Sequence, residues 1–270
     1  MIGFNYLGKM GQLGNQMFQY ASLKGIARKR GYEFCIPNHD EAIVDALGNT
    51  LRIELFDAFD LREGDKFRIG FMKTDQLVQE PTFEFCQELL EQCPDDVCVV
   101  GYMQTEKYFK HIEDEIRKDF TFRKEFEDGY DEVKDMFDNP VALHIRRGDF
   151  IINHANHHNL SLSYYEKALK QFDGRQIVIF SDDTKWCQEQ ELFSDDRFLV
   201  CETGHPYIDL CIMSKCSDFI IANSTFSWWG AWLCNNKDKV VLYSDRWFGP
   251  NNEHKSLKDL FPPTWQMVSS

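Results

Sequence analysis

Two adjacent arginines, Arg146 and Arg147, carry the strongest chemical signal in the sequence. Arg146 ends an apolar run that begins at Val141 and has the pattern of a buried β-strand, and Arg147 follows it. An arginine guanidinium presents planar, paired donors that match phosphate oxygens, and it stays charged at any working pH. The pair therefore predicts a diphosphate-binding site at a strand end. The alternative is that both arginines only pair with Asp149 or with other acidic groups on the surface.

Two further strand-like runs, Ile177–Phe180 and Phe219–Ala222, lead directly into polar residues. These are Ser181 and Asp182 after the first run, and Asn223, Ser224 and Thr225 after the second. Because open α/β sheets bind ligands outside the carboxyl ends of their strands, we expect both groups near the arginines. The second group also opens a helix, whose N–H groups and dipole favour phosphate. Asp182 would accept hydrogen bonds from a base or ribose, and the competing interpretation of Ser181 and Asp182 is a helix N-cap.

Two conspicuous motifs are weaker evidence. The turn Gly8–Gly14 has a glycine at every third position, but it matches neither the dinucleotide fingerprint nor a P-loop. The second predicted strand, Glu33–Pro37, ends without the acidic residue that an NAD site needs. The aromatic run Phe226–Trp232 is more typical of core packing than of a platform for sugars.

A metal site is not expected. His154, His157 and His158 lie in an asparagine-rich stretch with no carboxylate or cysteine close in sequence, whereas zinc needs three or four converging ligands. The nine cysteines are scattered, and several lie in apolar runs where a thiol behaves as a small hydrophobic group. We therefore expect no metal and no cofactor, and a reduced, cytoplasmic protein.

The formal net charge of −14 argues against nucleic acid as a partner, because phosphate neutralisation needs a basic face. No run approaches the ~20 apolar residues of a membrane span. Residues 1–16 also lack the basic and apolar regions of a signal peptide. Cationic contacts with an anionic substrate must therefore be local, since the overall field opposes it.

The alternation of strands and helices after residue 140 predicts an α/β fold whose parallel sheet is covered on both faces. The strands predicted there are Val141–Arg146, Gln176–Ser181, Arg197–Glu202, Asp218–Ala222 and Lys239–Tyr243. The earlier residues predict strands Ile2–Leu7, Glu33–Pro37 and Val97–Tyr102, and helices Asn15–Arg30 and Glu106–Phe120. The charged stretch 121–139 is the expected boundary between two domains.

Four segments then occur together in the order of one known family: Gly11–Ala21, Gly101–Phe109, His144–Asp149 and Asn223–Trp232. With them the chain resembles the α-1,2-fucosyltransferases of glycosyltransferase family 11, a branch of the wider α-1,2/α-1,6/O-fucosyltransferase group. The pattern His-x-Arg-Arg-x-Asp in the third segment is the hallmark of the wider group. Met103 is a departure, because bulkier aromatic residues are commoner at that place in the second segment.

The resemblance implies a GT-B-like α/β fold: two Rossmann-like domains with mostly parallel sheets and a cleft between them. Residues 1–125 would form the acceptor-side domain and residues 126–270 the domain that binds the GDP-sugar. It implies an inverting, metal-independent enzyme that moves L-fucose from GDP-fucose to a sugar hydroxyl, with O-2 of a terminal galactose as the expected position. The alternatives are a transferase for another GDP-sugar, and a non-catalytic carbohydrate- or nucleotide-binding protein that retains the fold.

The resemblance also implies which residues contact the donor. Arg146 would hold the β-phosphate, with His144 and Asp182 near the guanine and Ser224 and Thr225 on phosphate. Gly11, Asn15 and Gln16 would approach the diphosphate from the first domain. The remaining expected donor contacts are Arg147, Ser181, Asn223 and Phe226.

The acceptor is expected to be an oligosaccharide or glycan, with Gln104 and Trp228 as its candidate contacts. Peripheral association with a membrane stays open for a lipid-linked acceptor. Asp149 is the candidate base that activates the acceptor hydroxyl, and orienting Arg147 is its competing role.

Overall fold

A computed structural model describes residues 1–61, 67–136 and 138–270. These residues form two compact units. The first contains Met1–Arg123 together with Lys255–Pro262, and the second contains Lys124–His254 together with Pro263–Ser270. The division after Arg123 lies two residues before the boundary expected from the sequence, and the chain returns once to the first unit near its C-terminus.

The first unit is built on a sheet of five parallel strands. Its strands are β1 (Ile2–Gly3), β2 (Phe34–Ile36), β3 (Ile43–Val44), β4 (Thr50–Leu51), β5 (Phe67–Ile69), β6 (Leu77–Gln79) and β7 (Val97–Val100), of which β3 and β4 form a separate antiparallel pair. Its helices are α1 (Leu13–Arg30), α2 (Leu55–Ala58), α3 (Gln87–Gln92) and α4 (Glu113–Asp119). The strand order is β5-β2-β1-β7-β6.

Helix α1 is the central helix of this unit, and most of its residues are buried. It ends at Gly31, whose φ of 71° is the left-handed conformation that glycine adopts without a steric cost. The helix predicted over Glu106–Phe120 is broken: two 3-10 turns precede α4, and Phe109 between them has a φ of −129°, outside the helical range.

The second unit is built on a sheet of six parallel strands, as the alternating sequence pattern predicts. Its strands are β8 (Val141–Ile145), β9 (Ile177–Ser181), β10 (Phe198–Val200), β11 (Asp218–Ile220), β12 (Val241–Ser244) and β13 (Gln266–Val268). Its helices are α5 (Lys124–Val133), α6 (Gly148–Ile152), α7 (Leu162–Leu169), α8 (Thr184–Gln188), α9 (Pro206–Lys215) and α10 (Thr225–Leu233). Strand β13 had no counterpart among the predicted elements.

The order of these six strands, β10-β9-β8-β11-β12-β13, is the doubly wound order 3-2-1-4-5-6. The chain therefore winds outward in one direction from β8 and in the other from β11. Ligands of such sheets bind at this switch point, outside the carboxyl ends of the strands. In the first unit, the corresponding change of direction lies between β1 and β7.

The core of the second unit explains why its central strands read as continuous apolar runs. All five residues of β8 are buried, and so are four of the five in β9. Tyr164 and Tyr165 of α7 are fully buried against them. The Tyr164 hydroxyl donates to the carbonyl of Ile221 at 2.8 Å, so a backbone group just beyond β11 is satisfied from inside the core.

The nine cysteines are free thiols, and seven of them are buried. Burial raises the pKa of Cys35 and of Cys93 to about 11, so both stay protonated at neutral pH. In the part of the chain that the structure describes, no helix combines the length and the apolar character needed to span a bilayer.

Candidate active site

Arg146 lies immediately beyond β8, at the switch point of the second sheet. Its guanidinium is held between two carboxylates: one terminal nitrogen is 2.7 Å from Asp149 Oδ1, and the other is 3.1 Å from Asp182 Oδ2. The same group lies 5.5 Å above the ring of Phe150. These ion pairs engage two of the five N–H donors of a guanidinium, so the side chain is oriented and still able to bind an anion.

Arg147 is held in a different way. Its Nε donates to Asp183 Oδ2 at 3.0 Å, and its guanidinium stacks 3.9 Å from the centre of the Trp186 ring. Asp183 is also the N-cap of α8, because its Oδ1 accepts from the N–H of Trp186. The two guanidinium groups thus have separate partners, and Asp149 orients Arg146 where the sequence had suggested Arg147.

Asp182 connects the ends of β8 and β9. Besides its ion pair with Arg146, its Oδ1 accepts from the backbone N–H of Arg147 at 2.9 Å. Gly148 makes this approach sterically feasible, since a Cβ there would lie 2.3 Å from Asp182 Oδ2. The Ser181 hydroxyl accepts from the N–H of Asp183 at 3.0 Å and so fixes the same turn.

His144 is buried inside β8, with its Nδ1 2.9 Å from the Ser227 hydroxyl and its ring centre 5.6 Å from that of Phe226. Burial, reinforced by the positive charge of Arg146, lowers the pKa of His144 to about 3. The imidazole is therefore neutral at physiological pH and offers one donor and one acceptor.

The start of α10 lies beyond β11, on the other side of the switch point. Ser224 is its N-cap and accepts from the N–H of Phe226 at 3.3 Å. The orphan N–H groups of a first helical turn favour an anion. Asn223 is buried and donates to the carbonyls of His158 and Trp247, both at 2.8 Å, so it anchors two loops beside this helix start.

The assignment of Trp228 to the acceptor is wrong in this structure. Its indole is fully buried and packs with Trp229, Trp232 and Trp265 at ring-centre distances of 5.0–6.3 Å. A ring without exposed surface cannot stack on a sugar, so Trp228 is a packing residue. This agrees with the expectation that most rings of the Phe226–Trp232 run lie in the core.

In the first unit, Asn15 and Gln104 contact each other at the switch point between β1 and β7. Gln104 Nε2 donates to Asn15 Oδ1 at 2.8 Å. Gly11 packs against the same asparagine: its φ is 107°, and a Cβ there would lie 2.1 Å from Asn15 Nδ2. Three sequence-predicted residues are therefore brought together in one unit.

Gln16 lies beside them but is fully buried, and its amide binds backbone atoms. Its Nε2 donates to the carbonyls of Gly11 and Arg52, and its Oε1 accepts from the N–H of Glu54. Both amide hydrogens and the amide oxygen of Gln16 are engaged, and the bond to the Gly11 carbonyl stabilises the turn Gly8–Gly14. The predicted direct contact of Gln16 with a diphosphate is not supported by this arrangement, because both amide hydrogens are engaged within the protein.

Within the histidine-rich stretch, His157 has a packing role. The ring of His157 stacks on Phe150 at 4.1 Å, and the Arg146 guanidinium lies 5.5 Å from the centre of the same Phe150 ring. Among the described residues, no three His, Cys, Asp or Glu side chains converge as a metal site would require.

Three residues that shape this site had no role assigned from the sequence: Gly148, Asp183 and Trp186. Asp183 was detectable, because an aspartate followed by Thr184 is a typical helix start. The Arg147–Trp186 stack and the contact between Gly148 and Asp182 join different strand ends, so no local pattern records them.

The chain matches the family described as Glycosyl transferase family 11 over residues 2–269. It is 30% identical to the O-antigen biosynthesis glycosyltransferase WbnK of Escherichia coli, across 92% of this chain and 96% of that protein. It is also 30% identical to an alpha-1,2-colitosyltransferase of Escherichia coli, across 96% of each. The mouse galactoside alpha-(1,2)-fucosyltransferase 2 is 27% identical across 89% of this chain and 71% of that protein.

Among solved structures, the fold is similar to POFUT1 in complex with GDP, with a TM-score of 0.57 at 13% identity over 90% of this chain and 97% of that one. It is also similar to the NodZ alpha-1,6-fucosyltransferase co-crystallised with GDP, with a TM-score of 0.56 at 12% identity over 85% and 91%. These likenesses confirm the predicted GT-B-like α/β fold class with parallel sheets. The family implied by the four segments is confirmed as well: the chain belongs to glycosyl transferase family 11 and is galactoside α-1,2-fucosyltransferase-like.

Proposed function

We propose that this protein transfers L-fucose from GDP-fucose to O-2 of a terminal galactose, with inversion at the anomeric carbon. The observation that carries the proposal is Arg146, an oriented guanidinium at the switch point of the doubly wound sheet. Membership of glycosyl transferase family 11 supports the reaction class. Relatives named as α-1,2-transferases support the linkage.

The chemistry needs a stabilised leaving group. As the acceptor oxygen attacks C1 of the fucose, the bond from C1 to the β-phosphate oxygen breaks and GDP takes up negative charge. Arg146 and the first turn of α10 supply fixed donors for that charge, and each well-placed donor is worth about 3–4 kcal/mol in such a site. Asp149 and Asp182 fix the guanidinium in advance, so little reorganisation is needed during the reaction.

Among the remaining predicted donor contacts, Ser224 and Thr225 are proposed to bind phosphate, and His144 and Asp182 to lie near the guanine. Asn15 of the first unit is proposed to contact the diphosphate and Gln104 the acceptor. Asp149 is proposed to take up the proton of the acceptor hydroxyl, and its ion pair with Arg146 holds the carboxylate in place.

A second candidate concerns the donor sugar. One relative at 30% identity is named an alpha-1,2-colitosyltransferase, so a GDP-activated sugar other than fucose fits the same diphosphate-binding residues.

We also propose that the protein acts in the cytoplasm, where its nine free thiols stay reduced. The proposed acceptor is an oligosaccharide or a lipid-linked glycan.

The test is incubation of the purified protein with GDP-fucose and, separately, GDP-colitose and GDP-mannose, each with a galactose-terminated acceptor such as lactose. We expect transfer from GDP-fucose and an α-1,2 linkage in the product by NMR. If transfer from GDP-colitose is faster than transfer from GDP-fucose, the donor is GDP-colitose and the assignment of GDP-fucose is wrong. If none of the donors gives either sugar transfer or hydrolysis, the assignment of the protein as an enzyme is refuted.

We expect Gly148→Ala to lower kcat/KM for GDP-fucose about tenfold or more, since displacement of a positioning group by an ångström is costly in catalysis. The added methyl would meet the Asp182 carboxylate and push it away from Arg146. Gly129→Ala is the matched control: it adds the same methyl on α5 against the side chain of Ile208. Equal rates for both variants would contradict the role given to Asp182.

A further inference from the structure

We propose that Glu80 is a positioning residue, whose carboxylate fixes the loop Gly101–Gln104 so that Gln104 holds Asn15 in place at the first switch point. The catalytic consequence rests on the proposed function, in which Asn15 contacts the diphosphate of the donor. The geometry lies entirely within the first unit.

Glu80 directly follows β6, the edge strand that pairs with β7. Its Oε2 accepts from two consecutive backbone N–H groups, those of Tyr102 and Met103, both at 2.9 Å. Its Oε1 is buried, and no hydrogen-bond partner for it lies among the described residues. A buried charge is costly to retain, so a carboxylate in this setting indicates a specific task.

The surroundings of the Glu80 carboxylate favour its neutral form. Burial raises the pKa of Glu80 to about 7, although the two amide donors and the positive charge of Lys255 act in the opposite direction. A neutral glutamic acid and a glutamine would each still present one carbonyl oxygen to both N–H groups. The shape of the group, more than its charge, therefore holds the loop.

The loop that Glu80 holds has a backbone that needs such support. Met103 has a φ of 47°, in the left-handed region that side-chain-bearing residues seldom adopt. Gly101 lies so close that a Cβ there would be 2.5 Å from Glu80 Cβ. On the opposite side, the Ser22 hydroxyl of α1 donates to the carbonyl of Met103 at 3.2 Å. The conformation is fixed by side chains on both sides.

Gln104 connects this loop to Asn15, which lies against the glycine turn. It is the next residue after Met103, it is buried, and its amide donates to Asn15 Oδ1. Asn15 in turn lies so close to Gly11 that a Cβ at that glycine would be 2.1 Å from Asn15 Nδ2. A loop that relaxed at Met103 would withdraw Gln104 and release the Asn15 amide.

The experiment combines Glu80→Ala, Gln104→Ala and the double variant, assayed for kcat and KM with GDP-fucose. We expect each single change to lower kcat/KM about tenfold, and the double change to cost no more than the larger single one, since residues that act through one contact are not additive. Glu80→Gln should retain most of the activity. Glu88→Gln is the control, because it makes the same change at an exposed residue of α3.

Amide hydrogen exchange gives a readout that does not depend on catalysis. We expect faster exchange at Tyr102 and Met103 in Glu80→Ala and unchanged exchange in Glu80→Gln. If Glu80→Ala does not fold, Glu80→Asp replaces it, because one methylene less withdraws the oxygen from both amides. Additive losses in the double variant, or unchanged exchange in Glu80→Ala, would overturn the proposal. Wild-type protein without transferase activity would refute the proposed function, and exchange alone would then decide the role of Glu80.

Discussion

Arg146→Ala is expected to lower kcat for fucose transfer by about 100-fold to 1000-fold while the protein stays folded. That factor is the usual cost of removing one fixed donor from developing negative charge. The side chain is partly exposed and lies at a strand end, so truncation leaves the sheet intact. The measurement is steady-state kinetics with GDP-fucose, together with a thermal melt to confirm folding.

Arg147→Ala is the matched control for this change, because it removes the same charge from the neighbouring residue. Its guanidinium is bound to Asp183 and Trp186, so we expect a loss of only about tenfold. Arg146→Lys should recover little activity, because an ammonium cannot contact Asp149, Asp182 and a phosphate in one plane. A rate for Arg146→Ala above about a tenth of the wild-type rate, which is a loss below ~1.4 kcal/mol, would rule out its role in charge stabilisation.

The second large effect is expected in the stability of the protein under acidic conditions. In the unfolded chain a histidine titrates near pH ~6.5, whereas burial lowers the pKa of His144 in the folded protein to about 3. Between these values the unfolded state binds a proton that the folded state does not, so the free energy of unfolding falls as the pH falls. At pH 4.5 the contribution is about 3 kcal/mol, since each unit below the unfolded pKa adds about 1.4 kcal/mol.

Urea unfolding at pH 7 and pH 4.5 measures this contribution. His144→Gln keeps a side chain that can bond to Ser227 but cannot take up a proton, so it should lose about 3 kcal/mol less than the wild type on acidification. The control is His254→Gln, at an exposed residue of the same unit, which should behave like the wild type. An equal loss in His144→Gln and wild type would mean that His144 does not titrate in this way.

The second unit was the more predictable part of the fold. Its strands alternate with helices and its central strands are buried on both faces, so continuous apolar runs such as Ile177–Phe180 identified them directly. The carboxyl-end rule then placed Arg146, Asp182 and Ser224 at one edge of one sheet. Local pattern was enough for β8 and β9, which have five residues each, whereas the three-residue, largely exposed β13 was not predicted.

The first unit was less predictable, because its strands have only two to four residues. A strand such as Ile2–Gly3 has no measurable period, and β6 is largely exposed. Contacts between distant residues were also hidden. Gln16 meets Glu54, and Glu80 meets Tyr102, through backbone groups that carry no sequence signature. Trp228 shows the converse, since an aromatic residue looks alike in sequence whether it serves the core or a ligand.

The return of Lys255–Pro262 to the first unit has a consequence for how the protein is made. Asp259 in this segment accepts from the N–H of Phe85 at 3.0 Å and pairs with Lys107, so the first unit is completed by residues that follow nearly all of the second. During synthesis, Asp259 must leave the ribosome before either contact can form, and by then residues 124–254 of the second unit have already been made. Neither unit can therefore be cut out as an uninterrupted stretch of the gene, and we expect the two halves to have been inherited together rather than exchanged as separate modules.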